Sequence, residues 1–315
     1  MKKWYLRAGL AGLALAVAGG LALAQSDTDE NTLHRSFQVS PGGLLTVETP
    51  TGSIDVQSGE SDRVDVEIRA RNRQGDYLQE ILDELDIQFL PSGRDVTVRV
   101  ERKGGGDHWW DFGRRRIRLE FHISVPSAYN VDLKTAGGSI QVDDLEGEVR
   151  AVTSGGSLTF GRLRGSVFGR TSGGSISLTG SRGDADVKTS GGSIKIGEVE
   201  GNVVAHTSGG SVRVDEVYGS IDASTSGGSV RARISSQPEG DCRLTTSGGS
   251  VTVDLAGGIG LVVDAKTSSG RVIADMSVSG SGPRDKHSLR GEINGGGPRL
   301  VLRTSGGNIR LRELQ

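Results

Sequence analysis

Thr153-Ser154-Gly155-Gly156-Ser157-Leu158 is answered eighteen residues later by Thr171-Ser172-Gly173-Gly174-Ser175-Ile176, and again by Thr189-Ser190-Gly191-Gly192-Ser193-Ile194. The motif also opens at Thr135 (with Ala136 second), Thr207 and Thr225, so six copies share one spacing. Looser copies begin at Thr246, at Thr267 as Thr-Ser-Ser-Gly, and at Thr304, the last ending in Asn308. A short fixed period marks a solenoid, in which each unit buries its apolar face only by stacking on its neighbours.

Aligned on the threonine, the columns assign the faces. Four residues before it stand Val131, Val149, Val167, Ala185, Val203 and Ile221; five after it stand Ile140, Leu158, Ile176, Ile194, Val212 and Val230. Further apolar columns lie two before it (Leu133, Ala151, Val187, Ala205) and seven after it (Val142, Phe160, Leu178, Ile196). Spacing of two within each segment predicts strands with one buried face. Gly147, Gly165, Gly183, Gly201 and Gly219 follow twelve after the threonine.

Each unit therefore reads as strand, Gly-Gly corner, strand and a second glycine turn. Glycine is expected at both corners for its access to positive φ. The fold class is all-β: a single-chain parallel β-solenoid of 18-residue rungs. Nine rungs at the usual strand separation would span about 40 Å. Two-sided and three-sided cross-sections both accommodate this period. The threonines continue the inward alternation, so a hydroxyl ladder at the corner is expected to satisfy turn backbone groups. That orientation argues against an ice-binding threonine face. Cys242 falls in the same inward column as Val131 and reads as a buried small apolar residue.

The ends are different. Lys2, Lys3 and Arg7 precede an apolar run from Ala8 to Leu23 that closes on Ala22-Leu23-Ala24. Residues 1–24 read as a signal peptide cleaved before Gln25, with an uncleaved membrane anchor as the alternative. Export to the periplasm, cell surface or medium follows. Loss of those three cations takes the formal charge from −2 to −5, which argues against a general nucleic-acid binder. A single cysteine excludes an intramolecular disulfide.

Residues 33–130 form a β-rich, aperiodic N-terminal capping region before the solenoid of 131–315. Strands are expected at 44–48, 54–57, 64–70, 86–90, 96–101 and 117–125, and Thr49-Pro50-Thr51-Gly52-Ser53-Ile54 resembles a degenerate corner. One short amphipathic helix is expected over Asp76–Leu85, with Tyr77, Ile81, Leu82 and Leu85 on one face. After Thr225 the spacing stretches, and Ser235–Gly240 and Ser279–Pro298 read as loops thrown out from the rod.

Catalytic chemistry is hard to find. No Gly-x-Ser-x-Gly elbow occurs, and the five histidines (His34, His108, His122, His206, His287) lack zinc-like spacing. The calcium-binding nonapeptide of other 18-residue coils is absent, so neither metal nor cofactor is expected. Outward Asp132, Asp186, Asp222 and Asp264 share a column but skip rungs, which reads as surface charge.

Two features suggest binding. Trp109, Trp110, Arg114, Arg115 and Arg116 crowd one loop, where rings and guanidinium groups could meet a ligand or surface, or the rings could tuck onto the cap. Lys195, Arg213 and Arg231 stand six after the threonine on three consecutive rungs, with Arg233 beside them and Lys188 and His206 across the corner. Cations stacked at strand spacing repel unless partnered, and Asp215 is the obvious partner. An anionic polymer would be held there; a solvated face is the alternative.

The run Val125-Pro126-Ser127-Ala128-Tyr129-Asn130-Val131, leading through Asp132-Leu133-Lys134 into Thr135-Ala136-Gly137-Gly138-Ser139-Ile140, resembles the bacterial putative-adhesin family with β-strand repeats. The resemblance covers roughly residues 40–315 and implies an envelope or surface protein without family catalytic residues. The expected function is a non-enzymatic, adhesin-like structural or binding module. Its partners would be an envelope polysaccharide, an anionic lipid surface or another envelope protein. A polysaccharide-processing enzyme on a β-helix and a regulatory partner in envelope stress signalling are the alternatives.

Overall fold

The computed structural model describes residues 25–29, 32–71, 84–103, 118–280 and 285–314. Every named element among them is a strand. The N-terminal part holds β1 (Gln25–Asp29), β2 (Thr32–Gln38), β3 (Leu44–Thr49), β4 (Ser53–Gly59), β5 (Arg63–Arg71), β6 (Leu85–Ser92), β7 (Asp95–Arg102) and β8 (Arg118–Pro126). The repeats supply strands in pairs: β9 (Asn130–Thr135) with β10 (Ile140–Val142), β11 (Val149–Thr153) with β12 (Leu158–Leu163), and β13 (Val167–Arg170) with β14 (Ile176–Ser181). Next come β15 (Ala185–Lys188) with β16 (Ile194–Val199), β17 (Val203–His206) with β18 (Val212–Val217), β19 (Ile221–Thr225) with β20 (Val230–Ile234), and β21 (Cys242–Thr246) with β22 (Val251–Leu255). The chain closes with β23 (Leu261–Thr267), β24 (Val272–Asp275), β25 (Ser288–Ile293), β26 (Arg299–Thr304) and β27 (Ile309–Glu313).

The coil is two-sided. Each repeat sends its first strand into a thirteen-stranded sheet and its second into a fourteen-stranded sheet. Parallel pairing joins residues eighteen apart, Val149 to Val167 and Ile194 to Val212 among them. The inward side chains of both sheets form one core, with Ile194, Ile196, Val199, Val203 and Ala205 at most 1% exposed. The sheets interdigitate: a Cβ at Gly169 would stand 3.3 Å from the Phe160 ring, so the glycine makes room for the aromatic opposite. Cys242 is fully buried, and burial pushes its thiol pKa up.

The corner glycines are required for closeness, not for handedness. None of the Gly-Gly pairs from Gly137 to Gly249 has positive φ; Gly52 does at the equivalent corner, at +117°, and of the second-turn glycines from Gly147 to Gly219 only Gly147 does, at +158°. Instead, a Cβ on Gly156 would lie 2.0 Å from the Gly138 carbonyl oxygen of the preceding coil, and one on Gly174 would lie 2.1 Å from that of Gly156. Successive corners nest backbone on backbone. The threonine ladder completes the joint. Thr153 Oγ1 donates to Gly138 O at 2.8 Å and accepts from Gly156 N at 3.3 Å, and Thr171, Thr189 and Thr225 repeat both bonds. Ten threonines, from Thr49 through Thr135 to Thr267 and Thr304, are buried in this column. Beside it, each corner serine hydroxyl accepts the N–H of the next, as Ser157 does from Ser175 at 3.2 Å.

Chain order and spatial order part company at both ends. β3 and β4 pair in parallel with β9 and β10, in register from Leu45–Val131 to Ile54–Ile140, so regular coiling begins at Leu44 and the Thr49–Ile54 corner is a true one. The chain then runs outward through β5 and β6, returns as β7 and β8 on the far side of β3 and β4, and crosses to β9. The C-terminus mirrors this. β23 and β24 skip a position, β25 pairs antiparallel with β23, and β26 and β27 come back to fill the gap beside β21 and β22. The expectation that Ser279–Pro298 is only a thrown-out loop is therefore overturned: it contains β25, followed by a turn with Asn294, Gly295 and Gly296 all at positive φ. Antiparallel β5, β6 and β25 cover strand edges that would otherwise be open for pairing with another chain. The expected helix over Asp76–Leu85 lies outside the described residues except for Glu84 and Leu85, the latter of which opens β6.

Two predictions follow from the nesting. Gly156→Ala should destabilise the protein by about 1–3 kcal/mol, as overpacking does, whereas Gly155→Ala should stay within about 0.5 kcal/mol. The reason is that the Gly155 Cβ would meet nothing closer than Ala136 O at 3.9 Å. Urea midpoints of the two variants provide the comparison. Deleting residues 299–315 should leave β21/β22 and β23/β24 without their shared neighbour, and loss of protease resistance around Cys242–Asp275 would report it.

Candidate binding face

On the outer surface of the fourteen-stranded sheet, Lys195, Arg213 and Arg231 are direct cross-strand neighbours on β16, β18 and β20, and all three are exposed. Alternation forces this: Ile194 and Ile196 point into the core, so Lys195 must point out. The expected Arg213–Asp215 pair is present at 2.6 Å. Arg231 has a partner that the repeat spacing did not suggest, Asp254 on β22 at 3.0 Å. Lys195 has no ion pair among the described residues.

The inserted C-terminal strand enlarges this surface. β27 lies beside β22, so Arg310 and Arg312 join the same two outward columns next to Thr252 and Asp254. Across β16, β18, β20, β22 and β27 these columns carry Lys195, Arg213, Arg231, Arg233, Arg310 and Arg312 against Asp215 and Asp254. Six cations against these two carboxylates and Asp275, which β24 sets beside Arg312 in the same column, leave a formal charge of +3. Arg233 and Arg310, like Lys195, have no ion-pair partner among the described residues. Asp254 anchors the group: it is 4% exposed and accepts from Arg312 Nε at 2.7 Å and from Arg231 Nη2 at 3.0 Å. Burial alone would raise its pKa, but the hydrogen bonds and charges of Arg312 and Arg231 outweigh burial and hold it below the usual carboxylate range.

The thirteen-stranded sheet balances its charges differently. Lys188 and His206 are neighbours across β15 and β17, with His206 Nδ1 2.5 Å from Ser224 Oγ. Arg150 and Arg170 sandwich the Phe168 ring at 4.1 and 4.0 Å from its centroid. Of the outward aspartates, Asp264 departs from the surface-charge reading. It is 8% exposed, with Arg303 at 2.7 Å and Arg290 at 3.1 Å, because β26 and β25 bring these arginines to either side of β23. Its pKa is lowered on the same balance as that of Asp254, with burial opposed by the two arginines.

The tryptophan-arginine segment, Trp109, Trp110, Arg114, Arg115 and Arg116, lies outside the described residues. Its flanks show where it is attached. The chain leaves β7 in one sheet and enters β8 in the other, the crossing that Thr-x-Gly-Gly-Ser makes elsewhere. Among the described residues no group of three His, Cys, Asp or Glu side chains is arranged to hold a metal ion.

These features define an all-β protein built on long parallel sheets wound from one chain. The chain belongs to the Toastrack DUF4097 family, whose model matches residues 45–312. The resemblance to the putative-adhesin family read from Val125–Ile140 fits that membership. No curated protein matches it. Solved structures similar to the chain include a putative adhesin from Bacteroides fragilis, 12% identical, covering 91% of this chain and 98% of the other at a TM-score of 0.36. Another is a putative lipid binding protein from Parabacteroides distasonis, 12% identical, covering 90% and 97% at a TM-score of 0.32. A third is a putative cell adhesion protein from Clostridium sporogenes, 13% identical, covering 89% and 99% at a TM-score of 0.23.

The two buried aspartates make stability pH-dependent. A carboxyl whose folded pKa lies below its unfolded value stabilises the fold above that unfolded value and loses the contribution as pH falls through the folded one. Thermal stability should therefore drop as pH falls below about 4, the ordinary carboxylate value. Asp254→Asn should be less stable than the parent at pH 7 and show a shallower acid decline, read from melting curves between neutral and acid pH.

Proposed function

We propose that this chain is a non-enzymatic binding module of the cell envelope. Residues 1–24 export it, the outer strands of the 33–130 region cap the rod, and the coiled part, which begins at Leu44 and continues through 131–315, presents the cationic face to an anionic envelope polysaccharide or to acidic lipid headgroups. The observation that carries the proposal is the in-register row Lys195–Arg213–Arg231, continued beyond Thr252 by Arg310 on the inserted strand, at a formal excess of +3 across its two columns. Such a row meets a repeating anion with a cation on each of β16, β18, β20 and β27, interrupted at β22 by Thr252, and Asp254 holds Arg231 and Arg312 in place without neutralising Lys195, Arg233 or Arg310. Trp109, Trp110 and Arg114–Arg116 would supply a second contact. A polysaccharide-processing reaction would instead need free, converging carboxylates, and on this face both acids are engaged by arginine.

The test is cosedimentation of the protein with vesicles containing an acidic phospholipid and, separately, affinity for a soluble polyuronate. Each cation near an anionic surface contributes about 1 kcal/mol, so reversing Lys195, Arg233 and Arg310 to Glu should weaken binding by at least about a hundredfold. These three are chosen because none holds an ion pair that the fold uses. Loss towards vesicles alone identifies headgroups, and loss towards the polyuronate alone identifies a glycan. Undiminished binding of the triple variant to both would remove the face from consideration.

A further inference from the structure

The free charges of the cationic face alternate from coil to coil. In its two outward columns Arg213 on β18 is paired with Asp215, and Asp254 on β22 holds both Arg231 and Arg312. Asp275 on β24 stands beside Arg312 in register and balances the second of those arginines. What remains is Lys195 on β16, Arg233 on β20 and Arg310 on β27, each exposed and without an ion pair among the described residues. These strands follow one another in space as β16, β18, β20, β22 and β27. Every second coil therefore carries one free cation, and the coils between carry none. The interval along the rod is about 10 Å, twice the strand separation.

The two sides of this lane differ. Beyond the second column lie Glu198 and Glu216, against the Tyr218 hydroxyl, and they turn an anion back towards the first. Two residues before Lys195, Arg213 and Arg231 stand the exposed Ser193, Ser211 and Ser229. The Oγ of each accepts the backbone N–H of the next corner serine at 3.1 to 3.2 Å. Its own O–H has no acceptor among the described residues, so it is left to donate to a ligand. Each coil thus offers one uncharged donor, and every second coil adds one free cation.

We propose, resting on the reading of this face as the binding surface, that it selects an extended acidic polysaccharide with one anionic group in every disaccharide. An extended β-linked pyranose chain laid along the rod advances roughly one strand separation per residue, so its sugars keep pace with the coils. Acidic residues then fall opposite Lys195, Arg233 and Arg310. The uncharged residues between them fall opposite β18 and β22, where serine hydroxyls meet sugar oxygens. A chain charged at every residue would set one anion over the Arg213–Asp215 pair and another over Thr252 and Asp254. At both places it meets no free cation and lies against a carboxylate, which counts against that chain. Acidic lipid headgroups have no fixed interval and gain nothing from the alternation.

Calorimetric titration with two hexasaccharides separates charge interval from charge density. One alternates β-linked glucuronate with N-acetylglucosamine; the other is glucuronate throughout. The alternating hexamer should bind at least about tenfold tighter although it carries half the charge, whereas a face that responds to charge alone would prefer the other. Thr252→Lys puts a free cation on β22 and should raise affinity for the fully charged hexamer by about fivefold, leaving the alternating one within about twofold. Arg233→Gln removes the middle cation and should weaken the alternating hexamer by about fivefold. If Thr252→Lys fails to fold, the parent's preference and Arg233→Gln decide. Equal affinities, tighter binding of the fully charged hexamer, or no effect of either variant would overturn the assignment while leaving the binding-module reading intact. Binding to acidic vesicles with neither hexamer bound would overturn it in favour of headgroups. No binding to hexamers or vesicles would remove the cationic face altogether.

Discussion

The contact on which everything else depends is the approach of one corner carbonyl to the glycine stacked on it. At that separation no side chain fits, so the second glycine of each corner carries the stacking geometry, and the threonine hydroxyl ties the two levels together by donating to one coil and accepting from its own. The joint repeats from Gly52 to Gly307, and it sets the register of both sheets at once. With the register set, alternation divides the residues: aliphatic columns into one continuous core, charged columns onto two broad outer faces. A rod built this way gains little from any single residue inside and leaves its outer columns free to vary, which is where the candidate binding surface lies.

Rods have ends, and the treatment of those ends shapes the surface as well as the fold. A simple solenoid would leave its first and last strands with open edges. Here the chain travels to each extremity, lays antiparallel strands there, and returns to place another coil further in. The coil made by β26 and β27 is consequently paired on both sides although it comes last in the chain. This return also has a chemical consequence. It sets Arg310 and Arg312 beside Asp254, and Arg303 and Arg290 around Asp264, producing two nearly buried carboxylates with pairs of arginines at the end of a rod that otherwise keeps its charges in exposed columns. A buried carboxylate is tolerable only when paired in this manner, so the arginines of the last coil and the aspartates of the earlier ones form a structural set as well as an electrostatic one.

The two faces of the fourteen-stranded sheet differ for a related reason. Near the Gly-Gly corner the strands are regular and each projects one long side chain at a time, giving rows of cations at strand spacing. Near the second corner the alternation breaks on β12 and β16, and Gly161 and Gly197 stand there because a carboxylate or carbonyl of the preceding coil is too near.

The eighteen-residue period, the inward threonine ladder, the buried Cys242 and the neighbourhood of Lys195, Arg213 and Arg231 were all readable from the sequence, because in a parallel coil a constant spacing converts chain distance directly into strand adjacency. The same conversion would have put Arg310 and Arg312 in the right columns but beside the wrong strands. Which coils are neighbours at the ends is decided by long-range exchange, and a period carries no information about exchange. The role of the corner glycines escaped for a similar reason: a local reading ascribes glycine to φ, whereas here it answers to a carbonyl eighteen residues away. The sequence alone determined that the chain winds into stacked strands and which side chains face inward, since both follow from local periodicity. The tertiary structure decided the number of sheets, the order of the terminal coils and the makeup of the surfaces, because those depend on which distant segments come to lie side by side.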